Sequence, residues 1–78
     1  MMNYDLAVMA LEGLARGPIE IRAGEDGVTI EGSAASMKEL ARLCLLLAGD
    51  PEDGESIELL PGTHITRESL PLRVKVRI

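Results

Sequence analysis

Leu70-Pro71-Leu72-Arg73-Val74-Lys75-Val76-Arg77-Ile78 is the stretch that decides the fold. Successive side chains of an extended chain point to opposite faces. Leu70, Leu72, Val74, Val76 and Ile78 therefore share one face, and Pro71, Arg73, Lys75 and Arg77 share the other. This alternation predicts a strand with one buried and one wet face, as in an antiparallel sheet covered on one side. Pro71 offers no N–H to a ladder, which places that end at an edge or a strand start.

Working back from this strand, Ile57-Glu58-Leu59 predicts a third strand, broken by Pro61-Gly62. Thr63–Ser69 is a polar connection with room for a short strand. Two earlier strands alternate in the same way, Ile19 and Ile21 with Glu20 and Arg22, and Val28 and Ile30 with Thr29 and Glu31. The Asp26-Gly27 pair between them is a hairpin signal.

Two helices complete the pattern. The first covers residues 4–16, with Asn3 as N-cap, Asp5 in the first turn and Gly17-Pro18 as the stop. Gly17 is expected in a left-handed cap. Gly13 weakens the last turn by about 1 kcal/mol relative to Ala. The second helix follows a capping box, Ser36-Met37-Lys38-Glu39. Its apolar face is expected to be Leu40, Leu43, Cys44 and Leu47, widened by Met37, Ala41 and Ala48. Gly49 caps it and Asp50-Pro51 stops it. The expected fold is α+β, in the order α-β-β-α-β-β. One four-stranded, mostly antiparallel sheet carries both helices on one face, in a single domain over residues 1–78. Its wet face would hold Glu20, Arg22, Thr29, Glu31, Glu58, Arg73, Lys75 and Arg77, with opposite charges pairing across neighbouring strands.

A chain of 78 residues buries only about 60% of the surface its unfolded form exposes. With no Trp or Phe and with Tyr4 as the single aromatic, the core must be aliphatic. Small domains often gain stability by oligomerising. The first helix points the same way. Leu6, Ala7, Val8, Met9, Ala10 and Leu11 are consecutive, and apolar residues nearly all round suggest burial on two sides. A homodimer through this helix, with Leu6 and Met9 as contacts, is the expectation; a single-chain packing that leaves Ala and Met exposed is the alternative.

The 13 acidic and 8 basic residues give a net charge of −5, which argues against a general nucleic-acid binder. Residues 1–58 hold 12 of the acids and 4 of the bases, so the last strand is a basic strip on an acidic body. A lone cysteine excludes an internal disulfide and fits a reducing compartment. No Lys or Arg precedes Arg16, as a signal peptide would require. The longest apolar stretch, Leu43–Ala48, falls far short of the roughly 20 residues that span a membrane. Cytoplasmic residence without membrane contact is the expectation.

Few residues of the chain carry the makings of chemistry. The glycines form no phosphate-binding motif, and one His with one Cys cannot complete a zinc site within one chain. Cys44 is expected in the core among leucines. The acidic run Asp50, Glu52, Asp53, Glu55 lacks the calcium-loop pattern and is expected to be a solvated loop. Arg73, Lys75 and Arg77 lack interleaved aromatics for stacking on bases, which favours pairing with the sheet's own glutamates. His64 is either a general base or partner contact, or a loop histidine with a local hydrogen bond. No nucleophile and orienting acid are identifiable beside it. No catalytic residue, metal ligand or cofactor is expected.

Val28-Thr29-Ile30-Glu31-Gly32, Met37-Lys38-Glu39-Leu40-Ala41-Arg42-Leu43, His64-Ile65-Thr66 and Ser69-Leu70-Pro71-Leu72-Arg73-Val74 together resemble bacterial immunity proteins of polymorphic toxin systems, the immunity protein thirty-two group. That family tends to a His-x-His pair; here Gly62 and Thr66 stand at those offsets from the single His64. The resemblance implies a non-enzymatic protein that binds and neutralises a cognate toxin, and an acidic face suits a basic nuclease toxin. The expected function is therefore a small interaction module. The alternative is a homo-oligomeric domain that binds a small ligand or regulates. His64, Arg73, Lys75, Arg77, Leu6 and Met9 are the candidate partner contacts.

Overall fold

Asn3 starts the first helix as expected. In the computed structural model, which describes residues 2–78, its side-chain oxygen accepts from the Leu6 N–H at 3.2 Å. Helix α1 runs Tyr4–Arg16, and the Gly17 N–H closes it on the carbonyls of Gly13 and Leu14, both at 3.2 Å. Gly17 has φ −140°, which is not the left-handed cap expected of it. Its need is space: a Cβ there would lie 2.9 Å from Ser36 Oγ.

Strands β1, Glu20–Gly24, and β2, Gly27–Glu31, form an antiparallel hairpin in which Ile21 faces Ile30 and Arg22 faces Thr29. Gly24 pairs with Gly27, so the two loop residues are Glu25 and Asp26. Gly27 closes the turn with φ +115°, a backbone conformation that a side chain would strain.

Helix α2 spans Ala34–Gly49, and its cap is Ser33 rather than Ser36. Ser33 Oγ accepts from the Ser36 N–H at 3.1 Å. The Ser36 hydroxyl accepts from the Ser33 hydroxyl at 3.0 Å and donates across to the Gly17 carbonyl at 2.5 Å. Glu39 does not reach back to a cap; its carboxylate meets Arg42 Nη1 at 2.6 Å. Asp50, not Gly49, is the C-cap. The buried face of α2 is also rotated from its expected position. Ser36, Leu43 and Leu47 are buried, and Met37, Leu40 and Leu46 pack beside them, whereas Cys44, Ala41 and Ala48 are exposed. Leucines occupy 43 and 45–47, so the sequence offers more than one stripe. Packing against α1 selects the one that continues from Ser36 and Glu39.

The second hairpin joins β3, Ser56–Leu59, to β4, Leu72–Lys75, with Ile57 facing Val74 and Glu58 facing Arg73. The Val76 N–H to Glu55 carbonyl bond at 2.9 Å extends the pairing by one step. Only Leu72, Val74 and Val76 of the expected apolar face pack on the core; Leu70 and Ile78 are 47% and 79% exposed.

The architecture is α+β in the expected element order, but the four strands form two separate two-stranded antiparallel sheets. The break has a physical cause. The segment entering β4 runs along the free edge of β1, where Thr66 N–H donates to the Ile19 carbonyl at 2.8 Å and Leu70 N–H to the Ile21 carbonyl at 3.3 Å. This segment advances four residues, from 66 to 70, against a two-residue advance from Ile19 to Ile21. The excess is folded into a turn closed by Ser69 N–H on the Thr66 carbonyl at 3.0 Å. Ser69 Oγ then serves as acceptor for the Ile21 N–H at 2.8 Å, where a backbone carbonyl would stand in a regular ladder. Pro71 follows directly and has no N–H to resume one.

Ala7, Ala10 and Leu14 of α1, Leu43 and Leu47 of α2, Ile19, Ile21, Ile57, Leu59, Ile65 and Met2 form the core. Among the described residues, no helix is long and apolar enough to cross a membrane.

Candidate functional site

His64 lies in the turn that β3 leads into. The Leu60 N–H donates to His64 Nδ1 at 3.2 Å, while the Leu60 carbonyl accepts from the N–H groups of Thr63 and His64 at 3.0 and 3.1 Å. An Nδ1 that accepts carries no proton, so the ring's proton belongs on Nε2. Burial also holds the His64 pKa below its ordinary value. Both effects favour the neutral ring. Its bond is to a backbone donor, and among the described residues no carboxylate or hydroxyl is hydrogen-bonded to it. The side chain staples a turn.

The basic strip divides in two. Arg73 is held by the carboxylate opposite it, with Nε and Nη2 at 3.0 and 2.5 Å from the same Glu58 oxygen. Lys75 faces Ser56 rather than an acid. Lys75 and Arg77 line an open depression with Asp53, Gly54 and Val76. On the other hairpin, Arg22 bridges Glu31 at 2.5 Å and Glu20 at 3.3 Å. Cross-strand pairing therefore forms within each hairpin, among exposed groups whose pairs contribute at most about 1 kcal/mol each.

Leu6 and Met9 stand on the uncovered side of α1, 43% and 62% exposed, in company with Tyr4 and Val8 at 56% and 50%. Cys44, expected in the core, is exposed, and it lines a shallow hollow with Leu47, Ala48, Val74, Lys75 and Val76. The candidate contacts thus fall in three places: the turn at His64, the wet face of β4 and the outer face of α1.

Glu55 carries a role that the sequence reading did not assign. Its Oε2 accepts from the Met2 N–H and the Tyr4 hydroxyl, each at 3.4 Å, and so ties the start of α1 to the second hairpin. Its other oxygen is buried, with no hydrogen-bond partner among the described residues. Asp53 likewise accepts from the Ile78 N–H at 3.1 Å. The acidic loop therefore anchors both ends of the fold and is not merely solvated. Its sequence signal is indistinguishable from that of a solvated acidic loop. No group of three or more metal-ligating side chains is gathered among the described residues. No family model, curated protein or solved structure matches the chain.

Proposed function

We propose that this protein is a small non-enzymatic interaction module of the immunity type, which binds a basic toxin through its acidic surface. The observation that carries the reading is the internal pairing of Arg22 and Arg73 with Glu31 and Glu58. These arginines are partly neutralised by their own hairpins, so the net charge of −5 is expressed mainly by other exposed carboxylates, such as Glu25 and Asp26 at the first turn. A surface of this sign speeds encounter with a cationic partner. The turn-stapling role of His64 supports the non-enzymatic part of the reading.

The test is a pull-down of the protein with the product of its neighbouring gene, followed by co-expression in cells. A complex that weakens with added salt, together with relief of toxicity, is the expected result. Failure to bind any neighbouring product, with no protection of the cells, rejects the reading. The homo-oligomeric alternative has its own support in the uncovered apolar side chains of α1.

A further inference from the structure

We infer that α1 is the contact helix of a two-fold homodimer in which it lies antiparallel to its copy, with Asp5 of each chain facing Arg16 of the other. The inference goes beyond the toxin-binding reading and does not depend on it.

Asp5, Met9, Glu12 and Arg16 follow one another at four-, three- and four-residue spacings, so they form one stripe along α1. All four are exposed, and the stripe lies opposite the buried Ala7, Ala10 and Leu14. Val8 flanks it on one side and Leu6 on the other. Met9 and the stem of Glu12 stand in the middle of the uncovered stripe, and the charges of opposite sign at its two ends, Asp5 and Arg16, complement each other. Neither Asp5 nor Arg16 has an ion pair within the chain among the described residues.

The charges select the orientation. Asp5 and Arg16 are eleven helical steps apart, or about 16 Å along the axis. In a parallel pair, Asp5, Glu12 and Arg16 would each meet their own like charge. In an antiparallel pair with its two-fold axis between Ala10 and Leu11, Asp5 meets Arg16 of the copy, and Met9 meets the Glu12 position. Both ends are then paired, and at the centre Met9 packs on the methylenes of the copy's Glu12, whose carboxylate stays at the wet rim while Val8 flanks the contact. A two-fold contact uses the same patch on both chains, so every contact is made twice.

Sedimentation velocity on the full chain tests this. The wild type is expected to be a dimer at tens of micromolar, and Met9→Glu a monomer with the same helical circular dichroism. Asp5→Arg and Arg16→Asp should each weaken association about five- to tenfold, because each change puts two like-charge contacts in place of two attractive ones. The double reversal Asp5→Arg/Arg16→Asp should return the affinity to near the wild-type value. Both reversals also oppose the helix dipole, and the double variant keeps both of those penalties, so its recovery would have to come from the interface. Three outcomes would each overturn the inference: a wild-type monomer at about 0.5 mM, a double reversal no tighter than the single ones, or a dimer that survives Met9→Glu but is lost on Val28→Lys. The last would place the contact on the free edge of β2.

Discussion

Ser36 directs its hydroxyl to the end of the other helix, and that choice separates it from Ser33. Ser33 caps α2, and its replacement by Ala should cost about 1 kcal/mol, the usual value of an N-cap. Ser36 is 4% exposed and satisfies the Gly17 carbonyl. Ser36→Ala leaves that carbonyl without its partner and should cost about 1–3 kcal/mol. Urea unfolding of the two variants checks this. If Ser36 were the cap, Ser33→Ala would be silent. His64 gives a pH signature. Its folded pKa is depressed, so the unfolded chain takes up the proton first as pH falls. The contribution is complete above an unfolded pKa of about 6.5 and declines as pH drops from there towards the folded value. Asn at this position retains an acceptor for the Leu60 N–H but does not titrate. The stability of His64→Asn relative to the parent should therefore rise between pH 7.5 and 5.5, while the carboxylate contributions common to both cancel. Parallel pH curves would refute the role.

Between the two helices, the contact is made where side chains are absent. A Cβ at Gly13 would come 2.9 Å from Glu39 Cγ, and one at Gly17 would come 2.9 Å from Ser36 Oγ. The distances are equal but the consequences differ. At Gly13 the Cβ meets Cγ, Cδ and Oε2 of Glu39, so that side chain must change rotamer and give up its exposed Arg42 pair, while Ala adds helix propensity worth up to about 1 kcal/mol; Gly13→Ala should therefore be close to neutral. Ser36 cannot move without breaking its bond to Gly17, so Gly17→Ala should cost about 1–3 kcal/mol. Thermal melts check this: Gly17→Ala should lower the midpoint, and Gly13→Ala should leave it near the parent's. The same distinction explains what the sequence disclosed. Three of the four helix limits were legible because Asn3, Gly17-Pro18 and Asp50-Pro51 act within one turn of themselves; the start of α2 was not, because Ser33 and Ser36 offer the same hydroxyl and only packing against α1 separates them. The strands were legible because Val28 to Glu31 and Leu72 to Lys75 alternate strictly, and the first hairpin because Asp26-Gly27 joins its strands; that β3 pairs with β4 was not. The phase of α2 was not, because Leu43 to Leu47 is apolar throughout and only the packed partner decides among the stripes. The division of the sheet was not, because it rests on Ser69 Oγ accepting, in place of a carbonyl, from the Ile21 N–H 48 residues away in the chain. Ser69→Ala should leave the buried Ile21 N–H unpaired and destabilise the fold by about 1–3 kcal/mol. In hydrogen exchange, that amide should be the one that loses most protection. If it stays as protected as in the parent, the bond does not hold the segment to β1.

For the molecule as a whole, the core is aliphatic and narrow, and several apolar side chains remain outside it. No residue of β2 is buried, and Val8, Met9, Val28, Leu45 and Ile78 are each at least half exposed. The candidate contacts on α1 were legible as an excess of apolar residues. Their arrangement with Asp5 and Arg16 emerged only when the covered side of the helix was known. A chain that covers one such surface with a copy of itself gains stability by mass action, because the dimer binds folded chains and not unfolded ones. Raising the protein concentration a hundredfold above the dissociation constant then adds roughly 1.4 kcal/mol per chain, or about 5–10 °C in the melting midpoint for a domain of this size. Met9→Glu should melt at one temperature across the same range. Salt separates the two contributions to the interface. The Asp5–Arg16 pairs lie at the exposed ends of the stripe and weaken as the Debye length falls to a few ångströms near 1 M, whereas the apolar contact at Met9 and Val8 does not. The wild-type concentration dependence should therefore shrink in high salt without vanishing. A midpoint independent of concentration at low salt would mean that the chain is stable alone despite its narrow core, with the outer face of α1 left to a different partner.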